Sequence, residues 1–326
     1  MQRFKDILCV IGPDLQGDGA LARALTLADN NQARLSVVQI IDEIPPNTKL
    51  IDRVMSPVDL QAKIVEAHNK GLHDLVASLD SKIDINTEVL AGIPFLEIIR
   101  CVLRNSHDLV IKLSEGDGLM DRVFGSDDMH LLRKCPCPVW LVKPGSPESY
   151  DRIMATVDVN NEYPSEELDT RRSLNLQTLE MASALALSDF AELHIVHAWH
   201  AALESTMRGA FINRPEAEVA AYVEAERQHH MANLKNLMDE TIGRLGQETL
   251  EHIKPETHLL KGLPQREIPE FSREIKADIV VMGTVARTGL SGFFMGNTAE
   301  TILNQLDCSV LAIKPPGFET PVTVED

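Results

Sequence analysis

The sequence predicts an α/β fold of two tandem, doubly wound units, each a five-stranded parallel sheet (strand order 3-2-1-4-5) with helices on both faces. The chain has 326 residues, of which 44% are apolar, so it is long enough to bury two hydrophobic cores. Short apolar runs rich in β-branched residues alternate with amphipathic stretches, which is typical of βαβ units. The second half of the chain also repeats the pattern of the first.

The internal repeat is clearest in the last third of each copy. The segment "LAGIPFLEIIRCVLRNSHDLVIK" (90–112) aligns with "LKGLPQREIPEFSREIKADIVVM" (260–282), and "CPVWLVKPG" (137–145) aligns with "CSVLAIKPPG" (308–317). Between the copies, "PGSPESYD" is rich in turn formers and charge, as expected of a linker. We therefore predict one domain over 1–145 and a second over 150–317.

Each copy should contain five strands, and the last strand of each would leave an open edge. An exposed apolar edge invites aggregation, so we expect these closing strands to pack together and make a pseudo-dimer within the chain. A homodimer is a further option. In the second copy, strands are expected near 152–158, 191–198, 253–260, 278–282 and 308–313. Four helices are expected between these strands.

Composition and charge narrow the classes of function. The formal net charge is −18, so the surface should repel nucleic acid and anionic membranes, which are bound through clusters of Lys and Arg. No apolar run approaches the ~20 residues of a membrane span, and the N-terminus lacks a signal-peptide core. Five cysteines without disulfide-framework spacing fit a reducing compartment. These features predict a cytoplasmic protein.

A glycine-rich segment in the second copy, "VVMGTVARTGLSGFFMGNTAE" (280–300), is the main candidate for a site. Gly283, Gly289 and Gly296 would let the backbone approach phosphate oxygens, with Arg287 supplying positive charge nearby. The same glycines could simply punctuate a strand-to-helix turn, with Asn297 as the helix N-cap. Both interpretations stay open on the residues alone.

The first strand of the second copy ends beside the same edge. In a doubly wound sheet, ligands bind outside the carboxyl ends of the strands, near the first and fourth strands. These strands end at Asp158 and at Met282-Gly283, so a carboxylate and the glycine loop are expected to converge on one site.

These segments resemble the universal stress proteins in their tandem E-type arrangement. The likeness rests on "ADIVVMGTVARTGLSGFFMGNTAETIL", "CSVLAIKP", "IMATVDVN" and the duplication. In ATP-binding members of that family, the loop's first glycine corresponds to Gly283 and its last to Gly296. Ala286 stands in place of the second glycine, and Asn297 in place of Ser or Thr.

The resemblance implies a nucleotide site in the second copy, with ATP as the candidate ligand. It places Asp158 near the ribose or base, and the departures at Ala286 and Asn297 weaken the phosphate loop. The residues expected to bind the cofactor are Thr156, Asp158, Ala198, Met282, Gly283, Ala286, Arg287, Gly289, Gly296, Asn297 and Thr298.

The first copy has lost most of this pattern. Gly12 occupies the position of Asp158, and Leu113 that of Gly283. Glu115 and Asp117 stand where phosphates would lie and would repel them. Only the Gly125-Ser126 step is kept, so we expect any nucleotide site in the second copy alone.

Histidines offer a zinc hypothesis that the sequence does not favour. His194, His197 and His200 are three residues apart, and strand residues at that spacing point to opposite faces, so they cannot easily share one metal. His229-His230 could join them, but solvated or core histidines are the favoured interpretation. No metal site is therefore expected.

We predict a binding protein and not an enzyme. The sequence lacks a nucleophile elbow, an oriented Cys/His dyad and the Lys-Ser/Thr end of a P-loop, so any ATP hydrolysis should be slow and incidental. The expected function is a stress response in which a small ligand binds the second domain and protein partners are contacted. The alternative is that the degenerate pockets hold an apolar metabolite, or serve only as an interaction scaffold.

Overall fold

The computed structural model describes residues 4–12, 19–45, 47–48, 55–79, 81–116, 124–209, 212–284 and 295–324. The first half contains β1 (Asp6–Ile11), α1 (Gly19–Asn31), β2 (Arg34–Ile41), α2 (Pro57–Ala77), β3 (Ile85–Ala91), α3 (Pro94–Asn105), β4 (Leu109–Leu113), α4 (Ser126–Lys134) and β5 (Val139–Val142). The second half contains β6 (Arg152–Thr156), α5 (Ser165–Asp189), β7 (Glu192–Trp199), α6 (Glu204–Arg208), α7 (Glu216–Leu245), α8 (Gln247–Ile253), β8 (Glu256–Lys261), α9 (Pro264–Glu274), β9 (Ile279–Gly283), α10 (Asn297–Leu303) and β10 (Ser309–Ile313).

The chain divides into two units of tertiary structure. One unit consists of Met1–Glu148 with Cys308–Ala312 and Glu319–Asp326, and the other of Ser149–Asp307 with Ile313–Phe318. Most of β10, which the sequence placed at the end of the second copy, therefore lies in the first unit.

The sheet of the first unit has the predicted strand order. Parallel strands follow one another as β3-β2-β1-β4-β5, and β10 then pairs antiparallel with β5. Leu311 lies opposite Trp140 in that pair, and the Trp140 side chain is only 2% exposed. The apolar edge of β5 is thus covered, which removes the aggregation hazard of an open edge.

The second unit repeats the same arrangement. Its parallel strands follow one another as β8-β7-β6-β9, which matches the predicted order 3-2-1-4. The Thr284 N–H, just after β9, donates a hydrogen bond of 3.1 Å to the carbonyl of Ile313. Central strands such as Ile279–Gly283 are apolar along most of their length because both faces of a parallel sheet are buried.

The predicted elements of the second copy differ from the structure in two places. Residue 253 ends α8 and Lys254 adopts a left-handed conformation with φ 49°, so β8 begins only at Glu256. Six helices, not four, lie between β6 and β10 in the described residues, because the β7–β8 connection holds α6, α7 and α8. On α7, the apolar side chain of Met231 is 40% exposed, whereas the neighbouring polar side chain of His230 is only 7% exposed.

Candidate functional site

A cavity of about 570 Å³ lies in the second unit, at the carboxyl ends of β6 and β9. Its volume is in the range of small-molecule sites, and this edge of a doubly wound sheet is where such folds bind ligands. The structure brings eight of the predicted site residues together in its lining: Thr156, Asp158, Ala198, Met282, Gly283, Gly296, Asn297 and Thr298. The other three, Ala286, Arg287 and Gly289, lie outside the described residues.

Asp158 is held by side chains that the sequence analysis did not identify. Its carboxylate accepts a 2.7 Å hydrogen bond from the Arg171 guanidinium and a 3.0 Å bond from the Tyr163 hydroxyl. The Arg171 guanidinium also lies 3.4 Å from the centre of the Tyr163 ring. Asn175, one turn after Arg171 on α5, exchanges two hydrogen bonds with the Asp158 backbone. The carboxylate therefore has a fixed position and already has a cationic partner.

The charge states of Tyr163 and Arg171 follow from their surroundings. Burial, followed by the negative charge of Asp158, raises the pKa of Tyr163 to about 12, so the hydroxyl stays protonated and donates to Asp158. Arg171 supplies positive charge to the cavity wall, and its buried Nε–H group has no acceptor among the residues that the structure describes.

Two histidines form another part of the cavity wall. His197 Nδ1 lies 3.1 Å from the Val157 carbonyl, and His197 Nε2 lies 3.0 Å from His230 Nδ1. A carbonyl can only accept, so His197 carries its proton on Nδ1, and His230 donates from its own Nδ1 to His197 Nε2. Burial is the main cause that lowers the pKa of both imidazoles. Both rings are therefore neutral near pH 7.

The two described glycines of the loop segment have different roles. A Cβ on Gly283 would collide with Leu174 Cδ2, so this glycine lets α5 pack closely against the end of β9. A Cβ on Gly296 would meet no described atom within 4 Å. Gly283 is thus explained by packing, whereas the Gly296 backbone is open on its Cβ side.

The helix after the loop begins where the sequence predicted, but the proposed cap is wrong. Gly296 is the N-cap of α10, with φ −60° and ψ 138°, and Asn297 is the first helical residue. The Gly296 carbonyl accepts the Glu300 N–H at 3.0 Å. Gly296 takes the cap position because its extended backbone lets its carbonyl start the helix.

The corresponding region of the first unit is occupied by an ion-pair network. Lys112, which aligns with Met282, lies 2.7 Å from the buried carboxylate of Asp128 and also pairs with Glu115. Burial tends to lower the pKa of Lys112, but attraction to the two carboxylates outweighs it, and the pKa is raised. The predicted repulsion by Glu115 is therefore reduced by its lysine partner; Asp117 lies outside the described residues.

The remaining histidine candidates are separated as the sequence suggested. His194 contacts His258 on β8 and His197 contacts His230 on α7, while His200 lies beyond the end of β7 and is exposed. All five cysteines are buried and none forms a disulfide, although the Sγ atoms of Cys135 and Cys137 lie 3.6 Å apart. In the described residues, no helix combines the length and the apolarity that a membrane crossing requires.

Sequence reasoning missed most of the polar partners in the cavity. Arg171 and Asn175 are four residues apart on one face of α5, and that spacing was the available signal. The sequence favours solvated or core histidines at His197 and His230 over metal ligands, but it does not predict that the two rings pair. Their pairing depends on how α7 packs on β7, which residue spacing does not specify.

Comparison with known protein families agrees with the duplicated fold. The family model described as the universal stress protein family matches residues 3–143 and 169–314. Proteins named universal stress protein E from Salmonella typhi and Escherichia coli K12 are each 31% identical to the chain. Both alignments cover 100% of this chain and 99% of the relative.

Solved structures give the same result for the fold. A protein of unknown function from Pseudomonas aeruginosa PAO1 superimposes with a TM-score of 0.67 at 26% identity, over 96% of this chain and 94% of that one. A universal stress protein from Archaeoglobus fulgidus has a TM-score of 0.57 at 18% identity, over 94% of this chain and 98% of its own, which shows a shared fold. With one matching region in each half of its length, as the duplication and the loop segment predicted, the chain belongs to the universal stress protein family.

Proposed function

We propose that the chain is a cytoplasmic stress-response protein that binds one small ligand in the cavity of its second unit and acts through protein partners. ATP is the candidate ligand. The observation that supports this proposal is the convergence of Asp158, Gly296 and six other predicted residues on one cavity of about 570 Å³. In this proposal Met282 and Ala198 contact the base, and the open backbone of Gly296 lies toward the phosphates.

Binding without catalysis is the favoured activity. Four titratable side chains of the cavity wall are bonded in pairs: Asp158 to Arg171, and His197 to His230. A general base must be free to accept a proton from the reacting group, whereas His197 uses both ring nitrogens in structural hydrogen bonds. We therefore expect any ATP hydrolysis to be slow and incidental.

The charge of the cavity favours a second candidate function. Asp158, Glu162 and Glu226 line it, against the single guanidinium of Arg171 among the described lining residues. A triphosphate would meet net negative charge there, at a cost that grows as water is excluded. A less charged ligand, such as an apolar metabolite, is the alternative, as is a scaffold role without ligand.

Native mass spectrometry of freshly purified full-length protein separates these candidates. A bound nucleotide mass supports the first proposal, a different small mass supports the second, and an empty protein that also fails to bind added ATP supports the scaffold. For added ATP, isothermal titration calorimetry should give one site per chain. Two equivalent sites would contradict the assignment to the second unit.

A matched pair of variants tests the position of the ligand. Gly296→Leu should weaken ATP binding at least tenfold, because its side chain would extend into the space proposed for the phosphates. Gly243→Leu on α7 is the control, since a Cβ there also meets no described atom within 4 Å but lies away from the cavity. Equal ATP affinity in the two variants would place the ligand elsewhere.

A further inference from the structure

Two histidines and a glutamate come together on neighbouring strands of the second unit, away from the cavity. His194 on β7 lies opposite Glu256 on β8, and His258 is two residues further along β8. Side chains two residues apart on a strand share a face, so all three lie on the same side of the sheet. His258 also packs against Phe271 of α9, with ring centres 4.7 Å apart.

The three ligand-type atoms form a compact triangle. His194 Nδ1 lies 3.1 Å from His258 Nε2, and the Glu256 carboxylate oxygen lies 3.7 Å and 3.8 Å from these two nitrogens. Zn²⁺ binds imidazole nitrogen and carboxylate oxygen at about 2.0–2.2 Å in tetrahedral geometry, which separates ligand atoms by about 3.4 Å. The observed separations lie on either side of that value.

The surroundings of His194 suit a metal-bound imidazole. His194 is 7% exposed, and its other nitrogen, Nε2, is buried without a hydrogen-bond partner in the described part of the chain. An imidazole that binds metal through Nδ1 carries its proton on Nε2, and such protons are commonly directed at a carboxylate. The Glu192 carboxylate lies 3.8 Å from Nε2. A small shift of this exposed side chain would complete that arrangement.

In the first unit, β2 pairs with β3 as β7 pairs with β8 in the second, but the matching positions hold no histidine. Ser36 lies opposite Asn86 on β2 and β3, and Glu88 is two residues further along. These positions match those of His194, Glu256 and His258 in the register of β7 and β8. The fold therefore accommodates other side chains at these three positions. Packing of the sheet does not require two imidazoles in contact.

We propose that His194 Nδ1, His258 Nε2 and the Glu256 carboxylate bind one divalent transition-metal ion, with Zn²⁺ as the expected occupant. Two imidazoles and a carboxylate are a ligand set typical of zinc and unlike the all-oxygen sites of Mg²⁺ or Ca²⁺. Three protein ligands leave a fourth position for water. Half-buried His258 and exposed Glu256 give the ion access from solvent.

Such an ion would join the edge strand β8 to β7. The unfolded chain does not hold the three ligands together, so metal binds mainly the folded state and stabilises it by mass action. This gives a readout that is independent of any ligand in the cavity.

Calorimetric titration of the chelator-treated full-length protein with Zn²⁺ tests the proposal. We expect one ion per chain and a rise in the melting temperature that EDTA reverses. His258→Ala and Glu256→Gln should each weaken Zn²⁺ binding at least tenfold, and both positions are exposed enough to tolerate the change. His252→Ala, which removes an exposed histidine from α8, should bind Zn²⁺ as the parent does.

A transplant from the first unit is the stricter test. The triple variant His194→Ser, Glu256→Asn, His258→Glu copies the side chains found at the matching positions and should remain folded while losing the Zn²⁺ site. Absence of Zn²⁺ binding at micromolar concentration, or equal affinity in the parent and the His258→Ala variant, would overturn the proposal. The visible spectrum of bound Co²⁺ should be that of a tetrahedral ion, and an octahedral spectrum would contradict the ligand set.

Discussion

His230 Nδ1 lies 3.0 Å from His197 Nε2, and His197 in turn donates to the Val157 carbonyl. The first unit makes the same connection with a different side chain: Gln39 Nε2 donates to the Gly12 carbonyl, and Gln39 Oε1 accepts from His68. In both units a polar residue of the second strand links a long helix to the end of the first strand. Only in the second unit is the linking residue of the second strand itself an imidazole.

This difference predicts acid sensitivity in the second unit. Burial lowers the pKa of His197 and His230 in the folded state, whereas in the unfolded chain they titrate near the ordinary value of about 6.5. Protonation therefore favours the unfolded chain. The two neutral histidines contribute fully to the unfolding free energy above about pH 6.5, and this contribution is lost as the pH falls toward their pKa in the folded state. His197→Gln should copy Gln39 and reduce the loss of unfolding free energy between pH 7.5 and 5.5, by on the order of 1 kcal/mol.

Urea denaturation at the two pH values measures this effect. The exposed His252→Gln variant is the control and should keep the pH dependence of the parent. If His197→Gln loses as much stability on acidification as the parent, the histidine pair is not the acid-sensitive element.

Gly283 should be required for packing. Gly283→Ala places a methyl group against Leu174, so we expect a loss of about 1–2 kcal/mol in unfolding free energy. Leu174→Ala in the same chain should recover part of that loss, because it removes the clashing side chain. Chemical denaturation of the two single variants and the double variant gives the coupling energy. Additive effects would show that the two residues do not interact.

The buried ion pair of the first unit should behave differently when one partner or both are replaced. Lys112→Met leaves the fully buried Asp128 carboxylate without its cation, which should cost about 3 kcal/mol. The double variant Lys112→Met, Asp128→Ala copies Met282 and Ala299 of the second unit and should be less destabilised than Lys112→Met alone. Thermal or urea unfolding measures the stability of the single variant and of the double variant. A double variant less stable than Lys112→Met alone would contradict this explanation.

If Asp158 contacts ligand hydroxyls, Arg171 competes with the ligand for it. Arg171→Gln should therefore increase the affinity for uncharged adenosine several-fold, while ATP gains less because its phosphates lose a nearby cation. Calorimetry with both ligands measures the difference. The neighbouring Arg172→Gln is the control, since Arg172 pairs with Glu240 and its side chain is 65% exposed. Equal effects of the two substitutions on adenosine binding would argue against a ligand contact at Asp158.

The sequence by itself determined the family, the duplication and the strand order of the sheet. Local patterns carry these features: apolar β-branched runs become buried strands, and the two copies have similar residues at matching positions. The approach of Asp158 to Gly283 could also be predicted, because the carboxyl ends of parallel strands meet at one edge of a sheet.

Only the tertiary structure decided which side chains meet across elements. The bond between Asp158 and Arg171, the contact of His197 with His230, and the triangle of His194, Glu256 and His258 join residues 13, 33 and 64 positions apart or on separate strands. Helix rotation and strand register set these contacts, and a shift of one residue in a strand moves a side chain to the other face. Residue spacing along the chain does not specify that register, so the polar partners of the cavity and the proposed metal ligands emerged only from the folded structure.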